Sequence, residues 1–185
     1  QSACIKCPFG RFAPTAVNDD CIFCSSGFAT NASLGATRCA DCSPGSYSAG
    51  GSAVCTSCAP GTASASRANA CADCLPGSAA PESGSAACVA CAAGTQANEY
   101  KARFCEQCPS GRAQSSPGQS SCPVCGTGTI AATTGQAACQ VCAPGTVAPA
   151  AEAFVCEECL TGQFQRAPGQ GACAVCEAGS FNDKT

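Results

Sequence analysis

Twenty-two cysteines fall into eleven Cys-x-x-Cys pairs, with none left over. The pairs begin at Cys4, Cys21, Cys39, Cys55, Cys71, Cys88, Cys105, Cys122, Cys139, Cys156 and Cys173, in steps of 16 to 18 residues. No other feature constrains the fold as strongly. A period this regular marks a tandem array in which each copy is one small structural unit, here spanning residues 1–185 as a single repeat region.

The rest of the composition removes the usual alternative. Leu, Ile, Val and Phe together make 22 of 185 residues, well under the ~20% below which an ordinary apolar core is not expected. The 45% hydrophobic content comes mostly from 38 Ala and the 22 Cys. There is no His, which excludes a His-dependent catalytic triad, a His-ligated metal centre and a His-held haem. Nine Lys and Arg against twelve Asp and Glu leave a net charge of −3, so no basic surface faces nucleic-acid phosphates. No apolar run reaches the ~18 residues of a membrane span. Gln1 is neither a start Met nor followed by a signal-peptide core, so the sequence reads as a mature product or a window on a longer chain.

Comparing the copies with one another locates the turns. A Gly stands three residues after the second Cys of every pair: Gly10, Gly27, Gly45, Gly61, Gly77, Gly94, Gly111, Gly128, Gly145, Gly162 and Gly179. Such a position needs either positive φ or the absence of a Cβ. Pro44, Pro60, Pro76 and Pro144 precede it, and Pro-Gly at the centre of four residues suits a type II turn. Two residues past that Gly stand Phe12, Tyr47, Ile130, Val147, Phe164 and Phe181, while other copies have Ala or Gln there. These read as short-strand residues covering the adjacent disulfide. A second Gly, four residues before the next pair, marks a second turn (Gly35, Gly51, Gly84, Gly118, Gly135, Gly169). The expected unit is turn, short strand, turn, short strand. Alanine favours helix, but Gly and Pro interrupt every window before the ~12 residues a stable helix needs.

Three uses of the cysteines compete. Thioredoxin-type redox chemistry needs a helix N-terminus and a βαβ setting, and no helical pattern is present. Zinc-ribbon Cys4 sites fit the spacing, but each would consume two pairs, eleven is odd, and the gaps do not alternate. A disulfide ladder treats every gap alike. It joins Cys7–Cys21, Cys24–Cys39, Cys42–Cys55, Cys58–Cys71, Cys74–Cys88, Cys91–Cys105, Cys108–Cys122, Cys125–Cys139, Cys142–Cys156 and Cys159–Cys173, leaving Cys4 and Cys176 for an inter-subunit or chain-continuation bond. An interleaved version, Cys4–Cys21 with Cys7–Cys24, makes alternate gaps inequivalent and strands one pair. Sequence alone does not choose between connectivities.

The unit Cys-x-x-Cys-x-Pro-Gly-Thr/Ser-x-aromatic followed by Gly-x-x-x-Cys resembles the ephrin-receptor-like cysteine-rich repeat, a relative of tumour-necrosis-factor-receptor and furin-type modules. Its best matches are Cys42-Ser43-Pro44-Gly45-Ser46-Tyr47 with Gly51 and Cys55, and Cys142-Ala143-Pro144-Gly145-Thr146-Val147. The Ala-, Ser- and Thr-rich version is also similar to surface antigens of ciliates and other protists. The resemblance implies that the first Cys of a pair bonds backwards and the second forwards. The loops depart from the family, with Ala29, Ala63, Ala79 and Ala113 at the aromatic position.

The expected fold is thus a small disulfide-rich repeat: an extended rod or superhelix of β-hairpin-like units with little or no helix. The expected role is a non-enzymatic extracellular or cell-surface structural protein, a rod or fibre subunit without cofactor. Its expected partner is itself, joined head to tail or by covalent continuation of the repeat. The alternative is the ligand-binding ectodomain of a receptor or adhesin; an intracellular zinc protein comes third. Nine residues follow Cys176 and three precede Cys4, so the two ends together make one legal repeat loop. Asn31-Ala32-Ser33 is an N-glycosylation sequon. The doublets Asp19-Asp20 and Glu157-Glu158 read as solvated surface rather than Ca²⁺ ligands. Arg11, Arg103, Arg112 and Arg166 define no basic patch.

Overall fold

The computed structural model describes residues 4–15 and 20–182. Among them there is no helix; the regular structure is eighteen strands of two residues each, paired into nine two-stranded antiparallel sheets. Arg112 and Val124 form a lone antiparallel bridge where one further hairpin falls short of a sheet. Strands this short cannot stand alone in water, so the fold depends on what ties the hairpins down and to each other.

Each hairpin starts with a turn at the recurring glycine, which Pro precedes in four copies. Ser46 N–H donates to Ser43 C=O at 3.0 Å across Pro44-Gly45, and Gly45 sits at φ 83°, the positive φ that a type II turn demands at its third residue. The Ser or Thr after the glycine donates its hydroxyl to the same carbonyl: Ser46 to Ser43, Thr62 to Ala59, Thr95 to Ala92 and Thr146 to Ala143, at 2.7–2.8 Å. The motif therefore carries three functional letters, with Pro presetting φ, Gly reversing the chain and the hydroxyl doubling the closure.

The chain then runs two residues as a strand, makes its second turn and returns through the two residues between the next pair of cysteines. The register repeats. The residue after the turn glycine faces the second of the intervening residues, and the next faces the first: Arg11↔Phe23 and Phe12↔Ile22, Ser46↔Ser57 and Tyr47↔Thr56, Thr146↔Glu158 and Val147↔Glu157. A disulfide closes each hairpin at its base.

By Cα proximity the chain divides into two compact units, residues 1–89 with 99–104, and 90–98 with 105–185. Within each, successive hairpins are joined by one set of backbone bonds. The glycine N–H donates to the residue three past the next hairpin's glycine (Gly27 to Ser48, Gly45 to Ser64, Gly111 to Ala131, Gly128 to Ala148). The second Cys of a pair donates to the preceding hairpin's glycine (Cys42 to Gly27, Cys142 to Gly128). The second-turn N–H donates back to the second Cys (Gly51 to Cys24, Lys101 to Cys74, Glu152 to Cys125). Backbone polar groups brought inside are thereby satisfied by neighbouring copies rather than by long sheets.

The interior is made mainly of sulfur and methyl groups, with the hydroxyls of Thr30, Ser48, Thr62 and Ser64 among them. The second Cys of each pair from Cys7 to Cys159 is buried, together with Ala29, Ala63, Ala79, Ala80, Ala97, Ala113, Ala131 and Ala148. Val147 is the only branched aliphatic or aromatic side chain buried among the described residues. At the strand position expected to hold large residues, Val147 is buried and Phe12, Tyr47, Ile130 and Phe164 are half-buried, while in other copies Ala29, Ala63, Ala79 and Ala113 are buried there. The reason is close approach: hairpins that share four backbone hydrogen bonds per step leave little space between them.

Candidate functional site

The ladder is the structural feature that dominates the molecule. Ten disulfides join Cys7–Cys21, Cys24–Cys39, Cys42–Cys55, Cys58–Cys71, Cys74–Cys88, Cys91–Cys105, Cys108–Cys122, Cys125–Cys139, Cys142–Cys156 and Cys159–Cys173. Each spans 13 to 15 residues, with Cα–Cα distances of 5.5–5.8 Å, inside the usual range for a bridged pair. Connectivity runs from each hairpin's start to its own end, and the interleaved alternative does not occur. Cys4 and Cys176 are unbonded, the first exposed and the second half-buried.

The turn glycines explain why this position never varies. A Cβ built on Gly61 would lie 2.1 Å from Lys101 O, one on Gly45 1.9 Å from Gly84 O, and one on Gly94 2.2 Å from Gly135 O. In each case the blocking carbonyl belongs to the second turn of the hairpin two places on. Within each unit, contacts therefore reach past the next hairpin to the next but one, at Gly10, Gly27, Gly45 and Gly61 in the first and at Gly94, Gly111 and Gly128 in the second. This longer reach was not anticipated from the sequence.

The second turn obeys a weaker rule. Gly35, Gly51, Gly84, Gly118, Gly135 and Gly169 all have positive φ, and so do Arg67, Lys101 and Glu152, which stand in the same place in other copies. Here φ is just as demanding, but a Cβ would meet side chains rather than a carbonyl, such as Phe23 at 3.0 Å from Gly51 and Val141 at 3.1 Å from Gly169. Where glycine is absent, the charged side chain reaches an earlier hairpin: Arg67 pairs with Asp41 at 2.7 Å, Lys101 with Asp73 at 3.4 Å, and Glu152 with Arg112. These pairs are exposed and contribute at most ~1 kcal/mol each.

The remaining polar candidates are dispersed. Asn31 and Ser33 of the sequon are exposed, with Asn31 at φ 52° in a surface turn. Glu157–Glu158 is an exposed strand; Asp19 lies outside the described residues. Arg11 stacks on Phe23 at 3.7 Å, Arg166 on Phe164 at 5.2 Å and Arg103 on Phe104 at 5.8 Å. Each of these three arginines sits over a nearby ring, while Arg112 pairs with Glu152. Among the described residues no group of three or more Cys, Asp or Glu side chains converges where an ion could sit. A cleft of about 310 Å³ near the C-terminal end is lined by Gly145, Phe164, Arg166, Cys176, Phe181 and Asn182.

No helix among the described residues is long and apolar enough to cross a membrane. A scan against protein-family models gives no match to this chain, and a search of curated proteins gives none either.

Proposed function

We propose that this chain is an extracellular structural element: a crosslinked repeat whose task is to hold length and shape, as a rod or a segment of a surface fibre, without catalysis. One observation carries the reading. The chain spends its cysteines on one disulfide per hairpin and buries mainly Cys and Ala, with four Ser and Thr side chains and a single large aliphatic one among the described residues, a construction that persists only where thiols stay oxidised. Its resemblance to ephrin-receptor-like cysteine-rich repeats supports the same setting, and Asn31, exposed in a turn, would then carry an N-glycan. Electron microscopy of the oxidised chain tests the proposal. Stiff particles that lengthen in proportion to the number of repeats in truncated and duplicated variants are expected. Compact particles of constant aspect ratio would contradict it.

A second reading, a ligand-binding ectodomain, draws on Tyr100 and Phe104, which are exposed, with Arg103 beside the Phe104 ring. Aromatic and Arg side chains dominate binding hot spots. Tyr100→Ala with Phe104→Ala abolishing attachment to a cell surface would favour it; unchanged attachment would remove it.

A further inference from the structure

The disulfides decide which parts of the chain a pulling force can reach. We propose that this chain is a tether of fixed length that a thiol lengthens in set increments. Tension passes through the bridges and the Cys-x-x-Cys links, the hairpin loops lie outside that path, and each reduced bridge adds its own loop, Cys108–Cys122 last. The inference rests on the structural role proposed above and deepens it.

The load path follows from the connectivity. Each bridge closes its own hairpin, and no bridge crosses or encloses another. Force arriving at Cys21 runs along Ile22-Phe23 to Cys24, across the bridge to Cys39, and along Ala40-Asp41 to Cys42. A Cys-x-x-Cys link reaches at most ~10 Å, and the Cys24–Cys39 bridge adds a Cα–Cα span of 5.8 Å. A repeat under tension therefore stops at about 16 Å, whereas the same residues as open chain reach about 58 Å at ~3.4 Å each. What force can part is the set of backbone bonds between hairpins, such as Gly27 N–H to Ser48 C=O and Gly128 N–H to Ala148 C=O. Their rupture separates neighbours and leaves every hairpin closed.

Sequence separation sets the increment. Cys42–Cys55 and Cys58–Cys71, which span 13 residues, each release about 39 Å. Cys24–Cys39, which spans 15, releases about 45 Å. The other seven span 14 and release about 42 Å each. Opening all of them adds about 420 Å and takes the 185-residue chain from a limit of about 210 Å to one of about 630 Å.

The covalent step balances with a thiol such as glutathione as reductant. Its thiolate attacks the Cys39 sulfur and the Cys24–Cys39 bond breaks. A mixed disulfide forms at Cys39, and Cys24 leaves as a thiolate that takes a proton from water. Glutathione is oxidised, Cys24 is reduced, and the loop joins the load path.

Access sets the order. In nine of the ten bridges the closing cysteine is half-buried, as Cys39 and Cys71 are. Cys108–Cys122 differs, with both cysteines buried at 0% and 2%. Three side chains hold its closing end. Cys122 N–H donates to Gln96 Oε1 at 2.8 Å, Arg112 Nη1 donates to Cys122 C=O at 3.3 Å, and Gln114 Nε2 donates to Ser121 C=O at 2.9 Å. A thiol thus meets a partly open cysteine in every hairpin but this one.

The test pulls the full chain in optical tweezers between handles on its two ends, with Cys4 and Cys176 alkylated beforehand. Without thiol, extension should reach about 210 Å and stop. In glutathione at constant force it should grow in no more than ten steps, each of about 39, 42 or 45 Å. Cys58→Ser with Cys71→Ser should raise the thiol-free limit by about 39 Å and remove one step. The readout is contour length, so it holds whether or not that hairpin folds. In limiting glutathione without force, alkylation followed by peptide mass spectrometry should show Cys108 and Cys122 opening at least tenfold more slowly than the other bridged cysteines, by initial rates. Thiol-free extension past the limit, or steps outside the set, overturns the load path; Cys108–Cys122 opening with the rest overturns the order. A chain that meets the limit and the steps but is compact in micrographs overturns the rod and upholds the tether. A stiff rod that extends past the limit does the reverse.

Discussion

The turn glycines make two demands, one for positive φ and one for empty space, and a pair of substitutions separates them. Gly61 and Gly162 have nearly the same backbone, φ 82° and 79°, but a Cβ on Gly61 meets Lys101 O at 2.1 Å whereas one on Gly162 meets nothing within 4 Å. Both alanine variants incur the left-handed backbone cost of about 1–2 kcal/mol. In Gly61→Ala the blocking carbonyl must also retreat from 2.1 Å to at least 3.4 Å, a shift of 1.3 Å. That carbonyl follows an amide that donates to Cys74 C=O at 2.9 Å. Overpacking of about 1–3 kcal/mol and one strained hydrogen bond put the excess at about 2–4 kcal/mol. The assay is hydrogen exchange at equivalent amides: Cys74 N–H, which donates to Gly61 C=O, and Cys176 N–H, which donates to Gly162 C=O. Protection at Cys74 in Gly61→Ala should fall roughly 30- to 700-fold further than at Cys176 in Gly162→Ala. Equal losses would refute the claim that hairpins press against their next-but-one neighbours.

Two further outcomes follow from the packing. Ala131 is fully buried against Ala113 and Cys125, so Ala131→Leu should destabilise by about 1–3 kcal/mol, whereas Ala174→Leu on an exposed strand should stay within about 0.5 kcal/mol; denaturant unfolding of the oxidised proteins checks both. In Lys101→Gly, release of left-handed strain of ~1–2 kcal/mol opposes the loss of an exposed ion pair and the added freedom of the unfolded chain. Its midpoint should therefore move by less than about 1 kcal/mol in either direction, and a larger loss would mean that the Asp73 contact is more than surface decoration.

Much of this was legible in the chain because the repeat supplies its own comparison. Eleven copies of one turn place Gly10 through Gly179 at positive φ, and the even spacing of the pairs favours a ladder over alternating metal sites. The contact between a hairpin and its next-but-one neighbour was not legible from periodicity, which reports that units recur but not how far each reaches. A signal was nonetheless present. Arg67, Lys101 and Glu152 show that the second turn tolerates side chains at positive φ, so the strict glycine of the first turn needed a second cause, namely lack of room. Alanine at positions 29, 63, 79 and 113 looked like missing aromatics for a related reason. In an interior bounded by crossing backbones the methyl group is the fitted side chain, and hydrophobicity rankings built on thick cores undervalue it.

The central claim is that covalent links and backbone bonds between neighbours stand in for an apolar core. Closing a loop of ~15 residues stabilises a chain by about 3 kcal/mol, and ten disulfides close loops of 13–15 residues here, while Val147 is the single large aliphatic side chain buried among the described residues. Hydrogen exchange of the oxidised chain beside the same chain reduced and alkylated measures the claim directly. With the disulfides intact, the amides of Cys42, Cys74 and Cys142 should be among the slowest to exchange; after reduction all should exchange at unfolded rates together. Slow, cooperative protection surviving in the reduced chain would contradict it.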